Sequence, residues 1–141
     1  MAITFHAEGI GIPKIKKRET ANWIKTVAKN YNRKVGEIAY LFCDDEKILE
    51  INRTYLQHDF YTDIITFDYS EEDTISGDIF ISIDTVRSNS QKYHTDLEEE
   101  LHRVIIHGIL HLCGVNDKSE EEETEMREAE NSALTLLKNS Q

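Results

Sequence analysis

Ten consecutive residues constrain this chain more than any others: Val104-Ile-Ile-His-Gly-Ile-Leu-His-Leu-Cys113. A helix built from them is apolar almost all round, so it has to lie buried at the centre of a domain. Its only polar side chains are His107 and His111. Four residues of α-helix advance about 400° and roughly 6 Å, which stacks the two imidazoles on one face. Two histidines share one metal ion in that arrangement. A lone core histidine is more often simply hydrogen-bonded, but a pair at this spacing in an apolar helix points to a ligand pair.

The neighbouring glycines extend the reading. Gly108 costs about 1 kcal/mol relative to alanine inside a helix, which implies that another backbone or a substrate comes close to it. Gly114 suits the left-handed residue that ends a helix, turning the chain so that Asn116, Asp117 or Ser119 can complete the site. Asp117 is the only anionic oxygen donor of the three, and Ser119 is accounted for as a helix cap. Two His and one Asp leave a position open for water, the plan of a catalytic zinc site. The same set also suits Fe²⁺ and other transition ions. Metalloproteases of the H-E-x-x-H type carry a glutamate where this chain has Gly108, so a protease here lacks its proton acceptor.

The rest of the chain reads as one small domain. With 141 residues it is long enough for a single core. Ile3 to Phe5 reads as a strand, Glu19 to Tyr31 as an amphipathic helix, and Gly36 to Cys43 as a buried strand. Asp44 or Asp45 caps a helix to about Leu56. Asp63 to Asp68 and Asp78 to Ile83 form a hairpin across the loop Tyr69 to Ser76. Helices follow over Asp84 to Tyr93, Leu97 to Cys113, and from a Ser119–Glu122 capping box to about Lys138. The order β-α-β-α-β-β-α-α-α predicts an α+β fold over residues 1–141, a mixed sheet packed with helices, with the metal site on the central buried one.

Charge is unevenly spread. The net charge is −11, yet residues 1–34 hold eight Lys/Arg against two acids. The acidic balance excludes generic coating of nucleic acid, whereas the basic segment can track phosphates, unless Lys25 and Lys29 merely form the wet face of a helix. No apolar run reaches the roughly 20 residues of a membrane span, and no secretory signal is visible. Cys43 and Cys113 sit in apolar surroundings and read as buried reduced thiols. A cytoplasmic protein is expected.

His107-Gly-Ile-Leu-His111-Leu-Cys-Gly114 resembles the H-G-x-L-H-L-x-G signature of the YbeY family, metal-dependent bacterial endoribonucleases of ribosomal RNA maturation. Thr62-Asp-Ile-Ile-Thr-Phe67 is similar to that family's T-D-V-L-S-F strand, and Gly77-Asp-Ile-Phe-Ile-Ser82 to its G-D-I-x-I-S strand. Asn52, Tyr55, Met126 and Glu130 also fit, so the resemblance spans roughly residues 36–130. Two positions depart from it. The family's third ligand is a histidine where this chain has Asp117, and a carboxylate there subtracts one unit of positive charge from the site. The family's arginine after Tyr55 is Leu56, with Arg53 and His58 as nearby cations.

The resemblance implies one Zn²⁺ per chain held by His107, His111 and Asp117, with both histidines in the catalytic set. It implies single-strand RNA cleavage in 16S rRNA 3′-end processing, ribosome maturation and ribosome quality control. The implied partners are ribosomal RNA, the small subunit and ribosome-assembly proteins, with no membrane. Lys14, Lys16, Lys17, Arg18, Arg53 and His58 are the candidate RNA-binding cations, and Tyr61, Phe67 and Tyr69 the candidate base-stacking residues. The competing readings are a non-catalytic assembly factor with a structural metal, which Leu56 favours, and a metalloprotease-like hydrolase.

Overall fold

The computed structural model describes residues 2–57 and 62–139. Strand β1 (Ala2–Ala7) leads to α1 (Lys17–Asn30), β2 (Lys34–Cys43) and α2 (Asp45–Ile51), which widens into a π-type turn over Asn52–Leu56. Then come β3 (Ile64–Asp68), β4 (Thr74–Ser82), α3 (Ile83–Lys92), α4 (Leu97–Leu112) and α5 (Glu120–Asn139). The four strands form one sheet in the order β1-β2-β4-β3, parallel except for the antiparallel β3–β4 hairpin. This is the α+β architecture with a mixed sheet expected from the element order. No helix among the described residues is long and apolar enough to cross a membrane.

Alternation along the strands divides the sheet into two unequal faces. Phe5, Tyr40, Phe42, Ile79 and Ile81 belong to the main core, with Trp23, Ile24 and Val27 of α1, Ile105 and Ile109 of α4, and Leu134 and Leu137 of α5. Two buried hydrogen bonds tie these layers together. Trp23 Nε1 donates to the Ala133 carbonyl at 2.7 Å, and the Tyr40 hydroxyl donates to the Ile105 carbonyl at 2.9 Å. The other face carries a smaller cluster of Cys43, Ile48, Ile51 and Ile65, flanked by Phe67 and Phe80.

Local chemistry accounts for most boundaries. Asp44 caps α2 by accepting from the Lys47 N–H at 2.9 Å, and Ser82 caps α3. Ser119 accepts from the Glu122 N–H, but the Glu122 carboxylate returns to the Lys118 N–H at 3.2 Å rather than closing the expected box on Ser119. Strand β4 starts at Thr74, four residues earlier than the sequence pattern implies. Its first turn is polar, yet Ile75 is fully buried and Lys34 to Val35 pair with Thr74 to Ile75. Helix α1 begins at Lys17, ahead of the apolar stripe.

The space beside Gly108 is taken by side chains of the sheet rather than by another backbone. A Cβ there would stand 3.1 Å from the Cδ1 atoms of both Ile64 and Ile79, so the missing side chain lets α4 settle onto β3 and β4. Gly77 is the tighter position, because a Cβ would lie 2.5 Å from the Phe67 carbonyl oxygen of the paired strand. That neighbour is backbone and cannot swing away. Gly77→Ala is therefore expected to lower stability by about 1–3 kcal/mol, seen as a lower urea midpoint with an unchanged slope. Both cysteines are free and buried. Burial pushes the Cys43 thiol up to about 12 and the Cys113 thiol up to about 11. A thiol reagent at about pH 8 should label neither in the native protein and both after unfolding; rapid native labelling would contradict this packing.

Candidate metal centre

Helix α4 presents His107 and His111 on the side that its apolar residues leave uncovered. The rings lie 4.5 Å apart, edge to face at 85°, so they share a helix face without stacking in parallel. The chain leaves α4 through Gly114, whose φ of +96° permits the sharp turn. That turn returns Asp117 to the two histidines. Asp117 Oδ2 stands 3.4 Å from His107 Nε2 and 3.4 Å from His111 Nε2.

This donor set fits a divalent ion on two counts. Ligand atoms about 2.0–2.1 Å from a tetrahedral zinc stand roughly 3.3 Å apart, close to both separations from Asp117; one donor atom from each of the three residues lies within 4.8 Å of the others. The opposite ring nitrogens are anchored as well. His107 Nδ1 meets Glu130 Oε2 at 2.7 Å, and His111 Nδ1 meets the Val115 carbonyl at 3.1 Å. With Nδ1 donating to an oxygen, Nε2 carries the lone pair a metal requires.

The charges around the two rings differ. Burial opposes an imidazolium at His107, but the hydrogen bond and charge of Glu130, with Asp63 and Asp117, outweigh it and raise the ring's pKa. Burial and the neighbouring His107 lower that of His111. Glu130 is itself buried, yet hydrogen bonds from His107 and from Arg103 Nη1, the latter at 2.9 Å, hold it below the usual carboxylate range. The three residues open into a cleft of about 550 Å³ lined also by Thr62, Asp63, Ile64, Thr66, Asp68 and Leu112. Burial raises the Asp63 carboxyl, and His107 only partly offsets it. Asp63, Asp68 and Asp117 line the cleft and, among the described residues, no Lys or Arg does, which makes it anionic.

The other residues singled out from sequence lie elsewhere. Lys14 lines a separate cavity with Ile83, Asp84 and Arg87, beyond the C-terminal end of β4. Lys16 pairs with Glu19 at 3.9 Å, and Lys17 and Arg18 open α1. Arg53 and Leu56 sit on the exposed π-type turn. His58 and Tyr61 fall outside the described residues. Phe67 is packed edge-on between Tyr55 and Phe80, whereas Tyr69 is exposed. His102 is buried edge-on against Trp23. The anchoring role of Glu130 and the Val115 carbonyl has no local sequence signature, because each meets its histidine only through the tertiary fold.

A family model described as Endoribonuclease YbeY matches residues 3–138. The chain is 64% identical over 138 residues to a protein named Endoribonuclease YbeY from Bacteroides fragilis, covering 98% of this chain and 99% of that one. It is 57% identical to the protein of that name from Porphyromonas gingivalis strain W83, covering 96% and 90%. Among solved structures it resembles the solution structure of TM1509 from Thermotoga maritima, with a TM-score of 0.66, 25% identity, and coverage of 99% of this chain and 93% of that one.

The anchoring of His107 can be tested through metal affinity. Glu130→Gln keeps the shape but removes the charge that orients the ring. Zinc affinity, measured by competition with a chromophoric chelator, should fall about tenfold or more, with an unchanged circular dichroism spectrum. Equal affinity would show that Glu130 does not tune the site.

Proposed function

Because the chain belongs to the YbeY endoribonuclease family, we propose that it is a divalent-metal-dependent enzyme that cuts single-stranded RNA internally. Its substrate is ribosomal RNA, its step the 3′-end processing of 16S rRNA, and its setting small-subunit maturation and quality control in the cytoplasm. Residues 1–141 act as one catalytic domain. The observation that carries this reading is the convergence of His107 Nε2, His111 Nε2 and Asp117 Oδ2 at one edge of an open cleft.

His107, His111 and Asp117 would hold the ion, and zinc suits two imidazoles and one carboxylate. A divalent cation held there supplies Lewis-acid stabilisation of the negative charge that builds on a phosphoryl oxygen. Glu130 and the Val115 carbonyl keep the two rings oriented while substrate enters. Asp63 offers a carboxylate oxygen in the same cleft to take the proton of the attacking hydroxyl. Three carboxylates facing a phosphodiester would repel it, so the bare cleft is a poor phosphate site. Metal dependence therefore extends to substrate binding as well as to rate.

The test pairs elemental analysis with cleavage of a ribosomal RNA fragment. The wild-type protein should carry about one zinc per chain. His107→Ala and His111→Ala should lose the metal and slow cleavage by at least about a hundredfold, the scale of removing a transition-state-stabilising group. Asp117→Ala should lower metal content in the same assay. Full cleavage by the histidine variants in nuclease-free preparations refutes the catalytic reading. A metal-loaded wild type with no RNA turnover would make this a structural-metal assembly factor instead.

A further inference from the structure

A second concentration of positive charge lies apart from the cations at the start of α1. Lys25 and Lys29 from the outer face of α1, Arg33 from the α1–β2 turn and Lys34 from the first position of β2 line one surface groove of about 490 Å³. Among the described residues, Asp73 is the only acid lining it. Among the described residues, no ion pair engages Lys25, Lys29 or Lys34. Four cations thus stand against one carboxylate there, on a chain of net charge −11.

Topology places this groove beside the metal centre. Lys34 pairs with Thr74 at the start of β4, and Asp68 of the cleft pairs with Gly77 three residues along the same strand. The groove and that end of the cleft thus share one end of the sheet. Lys14 and Arg87, by contrast, lie beyond Ser82 at the other end of β4. The turn that delivers Asp117 closes the remaining gap. Arg33 Nη2 reaches to 3.8 Å from the point a side chain on Gly114 would occupy, and Gly114 stands midway in sequence between His111 and Asp117. The opposing charges are Glu71, Glu72 and Asp73 of the β3–β4 turn, but the Arg33 guanidinium donates to the Glu72 backbone carbonyl rather than to a carboxylate, and the Lys34 backbone N–H donates to the Asp73 carbonyl.

We propose that Lys25, Lys29, Arg33 and Lys34 form the surface that holds the phosphates of a single-stranded RNA flanking the cut site and leads the strand past Gly114 into the cleft. The inference rests on the RNA-cleavage reading for its substrate, but the two can fail separately. Exposed lysines on a helix and a guanidinium with only one weak 3.4 Å bond are free to follow a flexible backbone. A row of point charges without a stacking platform recognises phosphate spacing rather than base identity. Positive charge on the groove side of an anionic cleft also helps to orient the strand, because the flank that lies on the groove is held there by its phosphates.

The experiment measures binding of the zinc-loaded full chain to a fluorescent 2′-O-methyl single strand, whose integrity is checked on a gel, at several salt concentrations. Lys25→Gln/Lys29→Gln should weaken binding and reduce the slope of log affinity against log salt by roughly 0.7 for each cation removed. Lys47→Gln/Lys92→Gln, on α2 and α3, serves as the control and should leave the slope unchanged. On a cleavable strand, the groove variant should raise KM with little change in kcat. An unchanged affinity and slope in the groove variant, or an equal loss in the control, overturns the proposal. Loss of cleavage with the groove's salt-dependent binding intact would count against the catalytic reading and leave the groove assignment standing.

Discussion

The burial of α4 on the sheet is the constraint from which the site follows. A helix with Val104, Ile105, Ile106, Ile109, Leu110 and Leu112 all buried has no freedom to rotate about its axis without exposing one of them. Gly108 bears on its depth, since a Cβ there would crowd the Cδ1 atoms of Ile64 and Ile79 at 3.1 Å. With rotation and depth set, the two histidines have one direction left to face. That direction opens on the free side of β3, the edge strand of the sheet. The geometry of the candidate metal centre is thus inherited from packing, its polar residues held in place by the apolar ones around them.

The second layer of control is electrostatic. Glu130 is buried between an arginine and a histidine, and its negative charge is sustained by both. Such a buried carboxylate contributes little net stability as an ion pair, because desolvation offsets much of the attraction. Its effect is on orientation and basicity of His107. On the other ring, a neutral backbone carbonyl does the same orienting with less charge. The two imidazoles are therefore electronically unequal, and the third candidate donor is an anion. A carboxylate in place of an imidazole leaves the site less positive, in a cleft that already contains Asp63 and Asp68. An RNA phosphate would approach such a centre against more local negative charge, which increases the demand for cationic groups outside it.

Much of this was legible in the sequence wherever periodicity and chemistry coincided. The His107/His111 spacing, the left-handed Gly114 and the carboxylate three residues further on are local features, and local geometry carries them into the fold. The strand and helix order follows for the same reason, since each element has its own apolar rhythm. What escaped was whatever depends on register. The early start of β4 rests on pairing with β2 over polar residues, and Gly108 is explained by two isoleucines from different strands. Glu130 is separated from His107 by 23 residues and by a helix turn that no short-range pattern specifies. The cations show the same limit. Lys14 through Arg18 and Lys25 through Lys34 form one basic stretch in sequence, and α1 separates them to opposite ends of the sheet.

That separation gives an acidic protein a way to handle an anionic substrate. With a net charge of −11, long-range attraction to RNA is absent and non-specific attachment is weak. Positive charge then acts mainly within a Debye length of about 8–10 Å, and its position matters more than its amount. Cations at the far end of the sheet lie away from the cleft and are not placed to position the reacting phosphate. Cations beside Gly114 hold it where the donors of His107, His111 and Asp117 converge, so the binding they provide is spent on positioning the reacting phosphate. In a chain this acidic, one basic groove at the right end of one helix is sufficient to distinguish productive from unproductive contact.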